Sequence, residues 1–466
     1  MIFLLDQISN LIGIKSPKGY RFFRIYANST YFYPLIAAVL LTVSCKEMTK
    51  PEPVRSNSPN IILVMADDLG FETLGTYKGS SYETPNLDQL ASDGMRFDHC
   101  YSTPLCTPSR VQLMTGKYNH RNYIGFGLLD PNEKTFAHYL KEAGYKTFVA
   151  GKWQLFGNAN QQQLAGNRKG ATPEKAGFDD FCLWQIDHRG SRYKNPTLSS
   201  KEGTIVYGDK FGPDIFVDRI ETFMDDNKED PFFIYYPMVL THDPFVPTPD
   251  NEEFESFDPT SKVNDTAYFG GMVHYMDKLI GRIRTKVEEL GIQDNTLLLF
   301  VGDNGTDRDV TSANDGKTIR GNKGYTTDAG THVPLIAFWD GKIKKGSING
   351  NLIDFTDFLP TILETATQSK LDPSLTDGHS FYPQLLGDDS EARQWIFCHY
   401  EPHWGNFSPR RYVQNTKWKL YENGEFYNLE NDITEQNPLN TDVQPKTVRE
   451  IHDQFQKVLA KYPSTP

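Results

Sequence analysis

The run Asn60-Ile-Ile-Leu-Val-Met-Ala66 most limits the folds open to this chain. It is apolar without alternation, so the strand it forms must be covered on both faces, and it stops at two carboxylates, Asp67 and Asp68. The pattern recurs. Lys146-Thr-Phe-Val-Ala150 ends at Gly151-Lys152, Phe232-Phe-Ile-Tyr-Tyr236 leads to Thr241-His242, and Thr296-Leu-Leu-Leu-Phe-Val301 ends at Asp303-Asn304. Helical segments fall between these runs, at 86–93, 135–143, 214–226 and 266–290. Alternating strands and helices predict an α/β fold, with a large mixed and mostly parallel sheet sandwiched by helices. Ligands of such sheets bind beyond the carboxyl ends of the strands. Asp67, Asp68, Lys152, His242, Asp303 and Asn304 are therefore expected at one edge.

The pattern changes after about residue 370. Gln394-Trp-Ile-Phe-Cys-His-Tyr400, Arg411-Tyr-Val-Gln-Asn415, Trp418-Lys-Leu-Tyr421 and Phe426-Tyr-Asn-Leu429 are short strand-like runs parted by Asn-Gly and Ser-Pro turns. An amphipathic helix at 447–461 follows. The expected organisation is an export signal at 1–44, a tether at 45–58, a main domain at 59–370, and a small C-terminal antiparallel-sheet subdomain with a closing helix at 371–466.

The export signal is read from Lys15, Lys18, Arg21 and Arg24 preceding the apolar run that ends at Ser44. That run is shorter than the roughly 20 residues needed to span a bilayer. Leu41-Thr-Val-Ser-Cys45 resembles a bacterial lipobox, which would make Cys45 the lipidated mature N-terminus and place the protein in the periplasm or on the cell surface. The tether, rich in Pro, Lys, Glu and Ser, would lift the domain off that membrane. Apart from Cys45 and Cys106, the chain has Cys100, Cys182 and Cys398, so no disulfide framework carries its stability. A formal net charge of −12 argues against a nucleic-acid partner. An anionic substrate must then be met by local cations.

Adjacent carboxylates at a strand exit repel unless a cation lies between them. Asp67, Asp68, Asp303 and Asn304 offer oxygen only, which suits calcium or magnesium better than zinc.

Cys106-Thr-Pro-Ser-Arg110, followed by an apolar turn and Gly116, resembles the signature of the formylglycine-dependent sulfatases, arylsulfatase-like members of the alkaline-phosphatase-like superfamily. The likeness extends in order through Ile61-Ile-Leu-Val-Met-Ala-Asp-Asp-Leu-Gly70, Thr84-Pro-Asn-Leu-Asp-Gln-Leu-Ala91, Gly151-Lys-Trp153, Gly302-Asp-Asn-Gly305, and Arg320-Gly-Asn-Lys-Gly324 with His332-Val-Pro-Leu-Ile336. The resemblance implies an alkaline-phosphatase-like fold. It implies that a maturation enzyme oxidises Cys106 to formylglycine, and that calcium is held by Asp67, Asp68, Asp303, Asn304 and residue 106. Arg110 would steady the nucleophile, Lys152 and Lys323 would bind sulfate oxygens, and His242 with Lys323 would protonate the leaving oxygen. The implied substrate is a sulfated saccharide or an aryl sulfate.

One position departs. The family commonly has Gly-Lys-Trp-His, where this chain has Gly151-Lys-Trp-Gln154, and Gln cannot accept a proton. A phosphodiester or phosphonate hydrolase of the same fold and a non-catalytic binder of sulfated glycans are the alternative readings. Asp187-His-Arg189, Arg192-Tyr193, His403-Trp404 and Arg410-Arg411 lie in irregular regions where a pocket wall would be built. Trp339 and Trp418 sit in strand patterns and are expected in the core.

Overall fold

The computed structural model describes residues 58–187 and 190–462. The proposed export signal and Cys45 lie outside the described residues, as do His188 and Arg189. In chain order the strands are β1 Asn60–Ala66, β2 Met95–Tyr101, β3 Lys146–Lys152, β4 Asp180–Trp184, β5 Thr197–Ser200, β6 Gly203–Val206, β7 Phe232–Pro237 and β8 Thr296–Gly302. They continue with β9 Thr311–Asn314, β10 Lys317–Arg320, β11 His332–Phe338, β12 Ser347–Asp354, β13 Ile396–Tyr400, β14 Arg410–Gln414, β15 Trp418–Tyr421 and β16 Phe426–Asn428.

A ten-stranded sheet runs in the order β12-β2-β11-β8-β1-β7-β3-β4-β5-β6. Its centre, from β8 to β4, is parallel, whereas β11, β5 and β6 join antiparallel, so the sheet is mixed. The unbroken apolar reading of β1 is explained by its two faces. Ile62, Val64 and Ala66 enter one core with the helices Gly212–Asn227 and Phe269–Glu289, while Ile61, Leu63 and Met65 enter another with the helices Cys106–Thr115 and Phe358–Thr367. Each such side chain, fully buried, contributes on the order of 2 kcal/mol. Trp339 and Trp418 are buried, as expected.

Register sets up the functional edge. Ala66 is level with Gly302, so the residues leaving β1 and β8 emerge side by side. Gly151 lets β3 close against β7: its φ is +117°, and a Cβ there would lie 2.0 Å from the Pro237 carbonyl oxygen. Lys152 is thereby placed at the same edge.

Strands β13 to β16 form a separate antiparallel sheet in sequence order, covered by the helix Lys446–Lys461 through Phe455 and Val458. A two-stranded β9–β10 hairpin, which the apolar pattern does not reveal, precedes β11.

Candidate active site

The strand-exit residues converge. Asp67, Asp68, Asp303 and Asn304 are fully buried, and Cys106 is 2% exposed at the first turn of the helix Cys106–Thr115. Ligand atoms of Asp67, Cys106 and Asp303 lie within 4.8 Å of one another, as do those of Asp67, Asp68 and His242. A third group of the same tightness, Asp68, Asp243 and Asp307, goes beyond the residues expected from sequence. Its signal there is the acid spacing in Asp303-Asn-Gly-Thr-Asp307.

Each carboxylate has its own cation. Lys152 Nζ donates to both Asp67 oxygens at 3.0 and 2.7 Å. Arg110, one helical turn beyond Cys106, donates through Nε and Nη2 to Asp303 Oδ2 at 3.2 and 3.0 Å, and Nη2 lies 3.3 Å from Asp67 Oδ1. Its Nη1 donates to the Lys152 carbonyl at 3.1 Å, which locks β3 to the helix. Lys323 Nζ donates to Asp68 Oδ2. Burial opposes charge at Lys323, yet Asp68 and its neighbours raise its pKa above the ordinary lysine range. Burial, reinforced by the like charge of Asp67, pushes Asp303 up despite Arg110.

Two buried carboxylates pressed together call for further positive charge. Asn304 supplies an independent sign of what is needed. Its Nδ2 donates to Asp68 Oδ1 at 2.8 Å and to the Gly305 carbonyl at 2.9 Å, while its Oδ1 is buried with no donor. An orphaned amide oxygen among carboxylates fits a hard divalent cation.

His242 stands opposite. Its Nε2 is 3.2 Å from Lys323 Nζ and 3.7 Å from Asp68 Oδ2. Its Nδ1 lies 2.8 Å from Asp243 Oδ1 and 2.7 Å from the Asp243 carbonyl oxygen. Both neighbours are acceptors, so Nδ1 carries the hydrogen and Nε2 faces the lysine. The hydrogen bond from His242 holds Asp243 well below the usual carboxylate range. Arg192 donates to the Asp243 carbonyl at 2.6 Å, and the Tyr193 hydroxyl donates to the carbonyls of Val239 and His242. Arg192 and Tyr193 thus brace the His242 segment.

Gln154 Oε1 is 4.0 Å from Cys106 Sγ. Burial pushes the Cys106 thiol up, against Lys152, so an unmodified thiol is a poor nucleophile here. Trp404 stacks on Phe126 at 4.6 Å, and Phe126 belongs to the hydrophobic cluster that includes Cys106, against which Trp404 packs. His403 is 3.1 Å from Glu401. Arg410 and Arg411 instead serve the C-terminal sheet, facing Glu425 and donating to the Tyr462 carbonyl respectively. Cys100, Cys182 and Cys398 are free and buried.

Known proteins bear on this arrangement. The sulfatase family model matches residues 59–368, and the model for the C-terminal part of N-sulphoglucosamine sulphohydrolase matches residues 322–462. The chain belongs to the sulfatase family. Human arylsulfatase A is 31% identical to this sulfatase over 380 residues, covering 73% of this chain and 70% of that protein. The N-acetylgalactosamine-6-O-sulfatase of Bacteroides thetaiotaomicron is 27% identical over 521 aligned positions, covering 92% of this chain and 99% of its own. A solved structure of BT4656 with its substrate D-glucosamine-2-N,6-O-disulfate superposes with a TM-score of 0.69 at 21% identity, covering 87% of this chain and 97% of that one. The phosphonate monoester hydrolase of Agrobacterium radiobacter gives 0.63 at 19% identity, covering 86% and 95%. The structural neighbours share the alkaline-phosphatase-like fold. The sulfatase is a sulfuric ester hydrolase.

Proposed function

We propose that this sulfatase hydrolyses a sulfate ester on an extracellular saccharide, with Cys106 converted to formylglycine and with calcium as its metal. The observation that carries the reading is the buried cluster of Cys106 with three carboxylates, one orphaned amide oxygen and three cationic side chains. Asp67, Asp68, Asp303, Asn304 and residue 106 would hold calcium. Bound there, calcium would supply charge stabilisation for a transferring anion, and formylglycine would supply a hydrated aldehyde as nucleophile.

The remaining work falls to this chain's own side chains. Arg110 fixes the orientation of Asp303 and Asp67. Lys152 and Lys323 hold the sulfate oxygens. His242 Nε2 and Lys323 Nζ share a proton between them, so the pair rather than either group alone delivers it to the leaving oxygen. The sugar class is supported by relatives named as N-acetylgalactosamine-6-sulfatases and by the disulfated glucosamine bound to BT4656. An exported, lipid-anchored location would bring the enzyme to such glycans, and Cys45→Ala would then release it from the membrane fraction.

Mass spectrometry of the peptide spanning Cys106, paired with sulfate release from a panel of sulfated saccharides, tests the reading. An entirely thiol-bearing peptide in fully active protein would sink it. A second reading, a non-catalytic binder of sulfated glycans, rests on Gln154 at 4.0 Å from the Cys106 sulfur, where a proton acceptor is expected.

A further inference from the structure

A cavity of about 990 Å³ lies beside the chain segment that carries Lys323. Asn322 and Tyr325 line it, while Lys323 between them turns to Asp68. The β9–β10 hairpin, Arg308 and the turn around 429–436 form much of the rest of the wall, with Tyr101 and His332 of the main sheet. None of the candidate metal or catalytic residues lines it. Its size is that of a ligand pocket.

The charges around this cavity are unevenly matched. Its acids are spoken for: Asp315 pairs with Lys78, Asp328 with His332, and Glu430 with Lys417. Its bases Arg308, Lys317 and Arg320 meet no carboxylate within ion-pair reach among the described residues; Arg320 Nε instead donates to the Arg308 carbonyl at 2.7 Å. In a chain of net charge −12, three cations around one cavity with no carboxylate partner among the described residues favour an anionic ligand.

The second observation is aromatic. Tyr325 is 47% exposed and meets Phe407 edge-on at 5.7 Å, and the Arg308 guanidinium lies 5.4 Å from the Tyr325 ring centre and 5.9 Å from that of Phe407. Phe407 packs on the cluster that contains Cys106 and presses on Gly324, where an added Cβ would lie 2.2 Å from its ring. Phe407 thus links the buried cluster that contains Cys106 to Tyr325 on the cavity wall. Exposed rings beside guanidinium and amide groups are suited to the apolar faces and anionic substituents of sugars.

We propose that this cavity is a second saccharide subsite, which holds a further sulfated sugar of the same chain whose ester is cleaved at Cys106. The proposal rests on the saccharide-sulfatase reading. It makes the enzyme selective for oligosaccharides over single sugars, with Arg308, Arg320 and Tyr325 as specificity residues.

Titration calorimetry on the full chain carrying Cys106→Ala, which cannot be modified, separates binding from turnover. The probes are size-fractionated di-, tetra- and hexasaccharides of chondroitin 6-sulfate, heparin and carrageenan. Affinity for at least one series should rise about tenfold or more with length. Tyr325→Ala, and Arg308→Ala with Arg320→Ala, should remove that rise, Lys at both arginine positions should retain most of it, and a desulfated hexasaccharide should not show it. Affinity independent of length in all three series, or losses equal for di- and hexasaccharide, would overturn the subsite. Sulfate release by unsubstituted protein is scored separately. Length-dependent binding with no sulfate release from these saccharides refutes the proposed substrate and leaves the cavity a saccharide-binding site only, whereas release without length dependence refutes the subsite alone.

Discussion

Asp243 meets His242 at Nδ1, 2.8 Å away, the ring nitrogen opposite the one that faces Lys323. The carboxylate thereby fixes the imidazole's tautomer and aims Nε2 at the shared proton. Asp243→Asn keeps an acceptor but removes the charge, and Asp243→Ala removes both. On sugar sulfates, kcat should fall about 10-fold for Asn and about 100-fold for Ala, with KM little changed. Aryl sulfates, whose phenolate leaves without a proton, should lose far less. Equal losses on both substrate classes would show that Asp243 merely supports the loop.

The carboxylate cluster predicts metal dependence. Calcium added to chelator-treated protein should restore turnover and raise Tm, because a ligand at 100 times its Kd stabilises by about 2.7 kcal/mol. Asp303→Ala removes one ligand and the partner of Arg110, so it should abolish both effects while the far-ultraviolet dichroism stays native. A calcium-induced Tm rise that survives in Asp303→Ala would place the ion elsewhere.

Gln154 separates an enzyme from a stalled one. Wild-type protein should turn over a sulfated sugar many times, with Gln154→Ala weakening binding more than the chemical step. If the absent imidazole is the whole defect, pre-steady-state assays will instead show one equivalent of alcohol followed by arrest, relieved by Gln154→His. That substitution suits the backbone, since φ at Gln154 is +48° and His tolerates this region better than most residues.

His332 predicts a pH effect away from the chemistry. Its ring stacks on Phe71 at 4.1 Å, its Nδ1 is 3.3 Å from Asp328, and its Nε2 is 2.8 Å from the Asp98 carbonyl. Burial works against charge, yet Asp328 raises the imidazole pKa above 6.5. A folded pKa above the unfolded one means that the stabilisation is fully present below pH 6.5 and is lost as pH rises through the raised value. His332→Gln should flatten that decline in Tm, and an unchanged slope would assign it to another group.

The parts of this molecule that are legible in its sequence are those with a strong local cause. Strands β1, β7 and β8 stand out because both faces are covered, and their polar exits mark Asp67, Asp68, Asp303 and Asn304 as neighbours from the residue pattern alone. Strand β2, Met95–Tyr101, escapes a search for unbroken apolar runs. It alternates buried Met95 and Phe97 with half-buried Arg96 and Asp98, and that two-residue period is its only local signal. Arg192 and Tyr193 read as pocket wall, but their work as braces for His242 depends on contacts about 50 residues away along the chain. Asp243 acts on its own neighbour His242, whereas its grouping with Asp68 and Asp307 depends on contacts distant along the chain.

All ten residues of the Cys106–Thr115 helix are buried. A modifying enzyme must grip several residues around its target, and in the finished fold none of these is within reach. The proposed oxidation of Cys106 would therefore belong to the period before the fold closes over this helix, and would become a race between maturation and folding. A host that folded this chain faster than it modified it would then accumulate protein that is native by every structural measure and inert.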